Sequence, residues 1–109
     1  MLLAVEVWNR SLASVGCDPI TLDIPVTIYT PEEWPYGALV VGWYTGHSIS
    51  VRDTALETPS HAIDGTIMHE IGHHMGLGHS TATNSIMQAQ QKWNVWHPSR
   101  EDALAVCGY

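Results

Sequence analysis

The chain has 109 residues, 45% of them apolar and 14% charged, which suits one compact domain with a single small core and excludes a second. Four lysines and arginines against eleven aspartates and glutamates leave a net charge of −7, so phosphate backbones and anionic lipid surfaces are repelled and neither nucleic acid nor a membrane is an expected partner. No apolar run approaches the ~20 residues of a membrane-spanning helix, and the opening Met1-Leu2-Leu3-Ala4-Val5, stopped by Glu6 and lacking a basic segment, does not read as a signal peptide.

Met1, Val5, Trp8, Leu12 and Val15 recur at spacings of four and three, which predicts an amphipathic helix over residues 1–15 that Gly16 can close in a left-handed conformation. Ile20, Leu22, Ile24, Val26 and Ile28 then alternate with more polar residues, the period of a strand with one apolar face. Pro25 cannot donate to a ladder, which places that strand at an edge or puts a bulge in it. After a loop over Thr30–Gly37, the run Ala38–Tyr44 is apolar on both sides and suits an inner strand. A turn at Thr45-Gly46 leads to His47–Arg52, where Ile49 and Val51 alternate with Ser48 and Ser50 as in a half-exposed strand. A helix over Ser60–His74, capped by Thr58-Pro59 or Ser60, follows and stops at Gly76 and Gly78. Residues 80–98 show no periodicity. Ser99 then caps a short terminal helix with Glu101 and Asp102 in its acidic first turn and Ala103, Leu104, Val106 and Cys107 as its apolar side. One helix, three strands and two helices, without repeats, describe an α+β domain with the second helix packed on a small mixed sheet.

That helix carries the chemistry. His69-Glu70-Ile71-Gly72-His73-His74-Met75-Gly76-Leu77-Gly78-His79 spells HExxHxxGxxH. His69 and His73 lie one turn plus about 40° apart, so both imidazoles leave the same side of the helix. Gly76 permits the positive φ that turns the chain back, bringing His79 in as a third ligand and leaving one corner of a tetrahedron for water. On the helical wheel Ile63, Ile67, Ile71 and Met75 share one face, and the two histidines stand opposite it. Glu70 flanks the ligand face, placed to take a proton from water on the metal as that water attacks a carbonyl carbon and to carry it to a leaving amine. Random ordering of this composition meets the five fixed positions on the order of once in 10⁴ chains. The expected site is therefore one catalytic zinc ion held by His69, His73 and His79, with Glu70 as general base and amide hydrolysis as the reaction. A non-catalytic zinc-stabilised binding module is the alternative from another class.

Across His69–Met87 the sequence resembles the metzincin zinc endopeptidases, matrixins above all, and elsewhere it shares only the order of elements. Ser85-Ile86-Met87 is similar to the turn that passes beneath the zinc in that clan, with Met87 eight residues after His79. The resemblance implies a zincin-like fold, an upper subdomain over residues 1–78 and a short lower subdomain over 79–109 ending in a helix. It also implies an S1′ wall over Gln88–Trp96 and a cleft that takes an extended peptide against an edge strand such as His47–Arg52. Peptides or proteins are then the substrates, and a secreted protein fits the resemblance. The chain departs from matrixins in lacking a strand before the first helix and a long insertion between Arg52 and Ser60, so no second metal is expected. Gln88-Ala89 after Met87 supplies neither the tyrosine of astacins nor the proline of matrixins.

Among the remaining candidates, His74 points about 100° away from the ligands, as an exposed or hydrogen-bonded helix residue. His47, His61 and His97 read as surface residues, and Trp93 and Trp96 either line the cleft or fill core. Cys17 and Cys107 could join if both end helices pack on the same side, or remain as two reduced thiols; Cys17 as a thiolate blocking the zinc is the third reading, and Gly16-Cys17-Asp18-Pro19 does not match the matrixin propeptide switch.

Overall fold

A computed structural model describes residues 3–37, 40–54, 62–90, 95 and 97–108. The chain runs α1 (Leu3–Ser14), β1 (Val26–Tyr29), β2 (Gly42–Tyr44), β3 (Ile49–Arg52), α2 (Ala62–His74) and α3 (Arg100–Val106). No helix among the described residues is long and apolar enough to cross a membrane.

Helix α1 forms on the predicted stripe: Ala4, Val5, Trp8 and Leu12 are buried, and Gly16 follows at φ +77°. Met1 lies outside the described residues. Trp8 is fully buried and its indole N–H donates to the carbonyl of Met68 at 2.9 Å, which ties α1 to the middle of α2. Asn9, on the same helix, grips the following segment, accepting from the Ile20 N–H at 2.7 Å and donating to the Ile20 carbonyl at 3.1 Å.

This grip explains the first departure from expectation. Residues 20–25 keep the predicted alternation, with Ile20, Leu22, Ile24 and Val26 packed on the core, yet only Val26–Tyr29 is strand. The backbone of Ile20 is satisfied by a side chain rather than by a neighbouring strand, and pairing begins only after Pro25, whose carbonyl accepts from the Ile49 N–H at 2.9 Å. Ile28 does not join the buried row and is 52% exposed.

The sheet order is β1-β3-β2, with β1 parallel and β2 antiparallel to β3. This corrects two expectations. The inner strand is not Ala38–Tyr44 but β3, whose Ile49, Ser50 and Val51 are all buried. The Ala38–Tyr44 run supplies an edge strand shortened to Gly42–Tyr44, with Ala38 and Leu39 outside the described residues. His47–Arg52 is accordingly neither half-exposed nor an edge, because β1 and β2 occupy both its sides.

Helix α2 lies against β2 and β3 on one side and α1 on the other. It is buried from Gly65 through Gly72, His69 and Glu70 among them, while His73 is only partly buried. The predicted start at Ser60 falls outside the described residues. Helix α3 opens on a capping box in which Ser99 Oγ accepts from the Asp102 N–H and the Asp102 carboxylate accepts from the Ser99 N–H, both at 3.0 Å.

Cys17, just after α1, is joined to Cys107 at the end of α3, with Cα atoms 6.2 Å apart. The pairing overturns both the reduced-thiol reading and the zinc-blocking one. A bridge across 90 residues restricts the unfolded chain by about 4.5 kcal/mol in the chain-entropy account. Cys17→Ser paired with Cys107→Ser is therefore expected to lose most of that, read as a lower urea midpoint under non-reducing conditions; an unchanged midpoint would contradict it.

Candidate metal centre and cleft

His69 and His73 stand one turn apart on α2. At its end Gly76 takes φ +94°, the Gly76 N–H donates to the His73 carbonyl at 3.0 Å, and the Leu77 N–H returns to the Gly72 carbonyl at 2.9 Å. A side chain is strained at that φ; the turn it makes sends the chain back so that His79 meets the other two rings. The three ring centroids are 4.8, 5.0 and 5.4 Å apart, and one nitrogen from each ring lies within 4.8 Å of the other two.

The tautomers follow from what the far nitrogens touch. His69 Nδ1 is 2.7 Å from the carbonyl of Ile86, and His73 Nδ1 is 2.8 Å from the carbonyl of Leu77. A carbonyl only accepts, so both Nδ1 atoms carry the proton and both Nε2 atoms present lone pairs. Those lone pairs face each other across 3.2 Å. A hydrogen bond between them would need a doubly protonated ring, which burial disfavours at His69 by holding it well below its ordinary value, at about 4. Two ligand nitrogens on a tetrahedral zinc with bonds of ~2.05 Å stand about 3.3 Å apart. The donor set and its spacing therefore fit a zinc ion, and the His69 and His73 rings are each oriented by a backbone carbonyl behind them.

Beneath the rings, residues 85–87 form a tight turn with Ser85, Ile86 and Met87 all buried. Asp102 holds it from α3. Its carboxylate accepts from the Ser85 hydroxyl at 2.6 Å and the Ile86 N–H at 2.9 Å, besides the Ser99 N–H of its own cap, and Ser85 Oγ accepts from the Met87 N–H at 2.9 Å. The chain from Asp102 through Ile86 to His69 is continuous. Sequence reasoning saw Asp102 only as an acidic first-turn residue.

Glu70 is buried beside the ligands, and burial lifts its carboxyl to about 7. Strand β2 crosses directly over it. A Cβ at Gly42 would lie 2.6 Å from Thr66 Cγ2 and 2.9 Å from Glu70 Oε1, so the absence of a side chain is what lets the strand pass. Gly42 was missed because nothing near it in sequence hints at the carboxylate 28 positions on. An open depression of about 1120 Å³ runs between β2 and the lower segment, with Glu70 and all three histidines in its wall. Gln88, Ala89 and Gln90, at the start of the Gln88–Trp96 segment, line it from below; Trp93 and Trp96 lie outside the described residues.

His74 points away from the ligands and is held at both nitrogens, by Asp23 Oδ1 at 3.0 Å and the Tyr44 hydroxyl at 2.9 Å. The hydrogen bond from His74 keeps the exposed Asp23 carboxyl below its ordinary value and leaves Nδ1 to accept from Tyr44, which pins the end of β2 to α2. His47 and His97 are exposed, and His61 lies outside the described residues.

The two shifted groups give a pH signature of the metal-free chain. His69 titrates near 6.5 when unfolded and near 4 when folded, so protons favour the unfolded chain and stability falls as pH drops through that window. Glu70 acts oppositely: its folded value of about 7 against an ordinary 4.5 means that ionisation penalises the fold as pH rises from 4.5 to 7. Relative to the parent, Glu70→Gln is expected to gain stability across that rise, measured by urea unfolding in chelator; a pH-independent difference would refute the shift.

The sequence profile described as matrixin matches residues 31–106, a span that holds β2, β3, α2 with its histidines, the turn at 85–87 and α3. Comparison with curated proteins and with solved structures gave no match.

Proposed function

Because the chain belongs to the matrixin family, and with it to the zinc metallopeptidases, we propose that it is a zinc-dependent endopeptidase in which His69, His73 and His79 hold the metal and Glu70 is the general base. The observation that carries this reading is the pair of lone-pair nitrogens 3.2 Å apart, each with its other nitrogen committed to a carbonyl. That arrangement is unfavourable alone and favourable around a cation.

When bound at these three imidazoles, zinc supplies Lewis acidity toward a water molecule and a substrate carbonyl. The chain's own residues do the rest. Glu70, beside the ligands and shielded from solvent, accepts a proton from the attacking water and delivers it to the departing amine. Its burial suits this traffic, since a carboxyl drawn toward neutral pH both takes and gives protons readily. Strand β2 forms the upper rim, and no described strand occupies its outer edge. An extended polypeptide lies along that edge, its main chain hydrogen-bonded to β2 and its next side chains against Gln88–Gln90. This role passes to β2 from the His47–Arg52 segment, which is interior to the sheet.

The test is a stoichiometry together with a turnover. The purified chain should bind one zinc ion per molecule and hydrolyse an unfolded protein substrate; a chelator should abolish the hydrolysis and added zinc restore it. Equimolar zinc without hydrolysis of any peptide would replace the endopeptidase by the zinc-stabilised module, and no zinc binding would remove both.

A further inference from the structure

Five tryptophans and four tyrosines are the chain's aromatic residues, with no phenylalanine, and four of these nine form one continuous surface strip. Tyr29 meets Trp34 edge-on with centroids 5.9 Å apart, Trp34 meets Tyr36 at 5.1 Å, and Tyr36 stacks on Trp43 at 5.4 Å with 18° between the planes. The Trp34 indole N–H donates to the Gly37 carbonyl at 3.1 Å, which fixes that ring within its turn.

The strip lies on the sheet face turned away from α2. Gly42 and Tyr44 face Glu70 and His74 on α2, so by alternation Trp43 points the other way. The register sets Thr27, Ser50 and Trp43 on that same face, followed by Tyr29 and Arg52. A strip built only to cap the sheet would bury its rings as the core buries Trp8, yet Trp43 remains 47% exposed. Glu32 and Glu33, both exposed, stand in the turn that carries Trp34; they outnumber Arg52, and the chain as a whole is at −7. A half-exposed Trp43 backed by partly buried rings, next to a turn that carries two exposed carboxylates, favours a cation over a neutral group. The strip also adjoins the cleft, because β2 carries Trp43 and lines the depression at the same residues.

We propose that Tyr29, Trp34, Tyr36 and Trp43 form a docking surface for a lysine- or arginine-bearing segment of the polypeptide substrate, outside the residues that span the cleft. The inference rests on the endopeptidase reading for its choice of occupant. A guanidinium lies flat on the open part of Trp43 while Glu32 and Glu33 attract the segment from a distance. Selection then comes from a stretch of substrate remote from the scissile bond, and it weakens as salt screens the attraction.

The test separates binding from turnover. A short capped peptide alternating glycine and arginine is titrated against the zinc-loaded chain by tryptophan fluorescence and calorimetry, beside the same peptide with neutral citrulline in place of arginine. The arginine peptide should bind about tenfold more tightly at ~50 mM salt. Trp43→Ala, at a half-exposed position, should bring the two peptides within about twofold of each other, and Glu32→Gln with Glu33→Gln should reduce the preference severalfold. A fluorogenic substrate extended by the arginine segment should show the same preference in kcat/KM. Equal binding of the two peptides, a preference that survives Trp43→Ala, or a neutral oligosaccharide that binds in their place would each overturn the proposal. Arginine-selective binding without hydrolysis of any substrate would leave the surface standing and remove the endopeptidase reading. Hydrolysis indifferent to the basic segment would do the reverse.

Discussion

Glu70→Gln is expected to lower peptide hydrolysis by roughly 10²- to 10⁴-fold, the range contributed by a positioned proton-transfer group, with zinc still bound in equimolar amount. Glutamine keeps the size of the side chain and removes only its ability to take a proton. That distinction matters here, because Oε1 lies only 2.9 Å from where a Cβ at Gly42 would stand and a bulkier replacement would displace β2 together with the chemistry. The His69, His73 and His79 side chains are untouched by the change, so metal content should not move. The measurement is kcat and zinc stoichiometry on one preparation. A variant with more than about a tenth of parental turnover would show that another group handles the proton, and loss of zinc would show that Glu70 orders the ligands. The same substitution is expected to stabilise the metal-free chain near neutral pH, since the carboxylate it removes is buried and drawn to about 7. Lower activity with higher apo stability is the combined signature of a group kept for chemistry at the expense of the fold.

Asp102→Ala is the second large effect, and it falls on stability first. The carboxylate accepts from the Ser85 hydroxyl, the Ile86 N–H and the Ser99 N–H, all in buried surroundings. Alanine strands three donors at once, each costing about 1–3 kcal/mol when left unpaired. A loss of about 3–5 kcal/mol is expected, against the 5–15 kcal/mol that holds a typical domain. Urea unfolding measures it, and a loss under 1 kcal/mol would show that water replaces the carboxylate freely. Because the Ile86 carbonyl orients His69, zinc affinity should also weaken about 10- to 100-fold, the usual effect of losing support behind a ligand. Asp102→Asn retains one accepting oxygen and should fall between the parent and alanine in both measurements.

Much of the site was legible in the chain because its parts are local. The placing of His69 and His73 on one side of a helix needs only the helical repeat. The return of His79 needs only a residue free to adopt positive φ at Gly76, and a cap at Ser99 needs only its neighbours in the next turn. Helix α1 was readable from its stripe for the same reason, and the matrixin resemblance followed from a motif confined to nineteen consecutive positions, His69–Met87.

The order of the strands was not legible. Ala38–Tyr44 looks interior because it is apolar throughout, yet β2 is an edge. His47–Arg52 looks half-exposed because serines alternate with Ile49 and Val51, yet Ser50 is 5% exposed, with strands on both sides and the aromatic strip on its own face. Alternation reports how polar each side of a strand is; it carries no information about which strand lies beside it. Asn9 holding Ile20 ahead of the ladder, Gly42 clearing Glu70, and Asp102 bracing the turn below His69 are pairings between residues 11, 28 and 16 or more positions apart. Helical period, turn chemistry and capping are short-range and were set by the order of the amino acids alone. Sheet order, the buried carboxylate and the support of the ligands depend on which distant surfaces meet, and packing of the whole chain around one small core decided them.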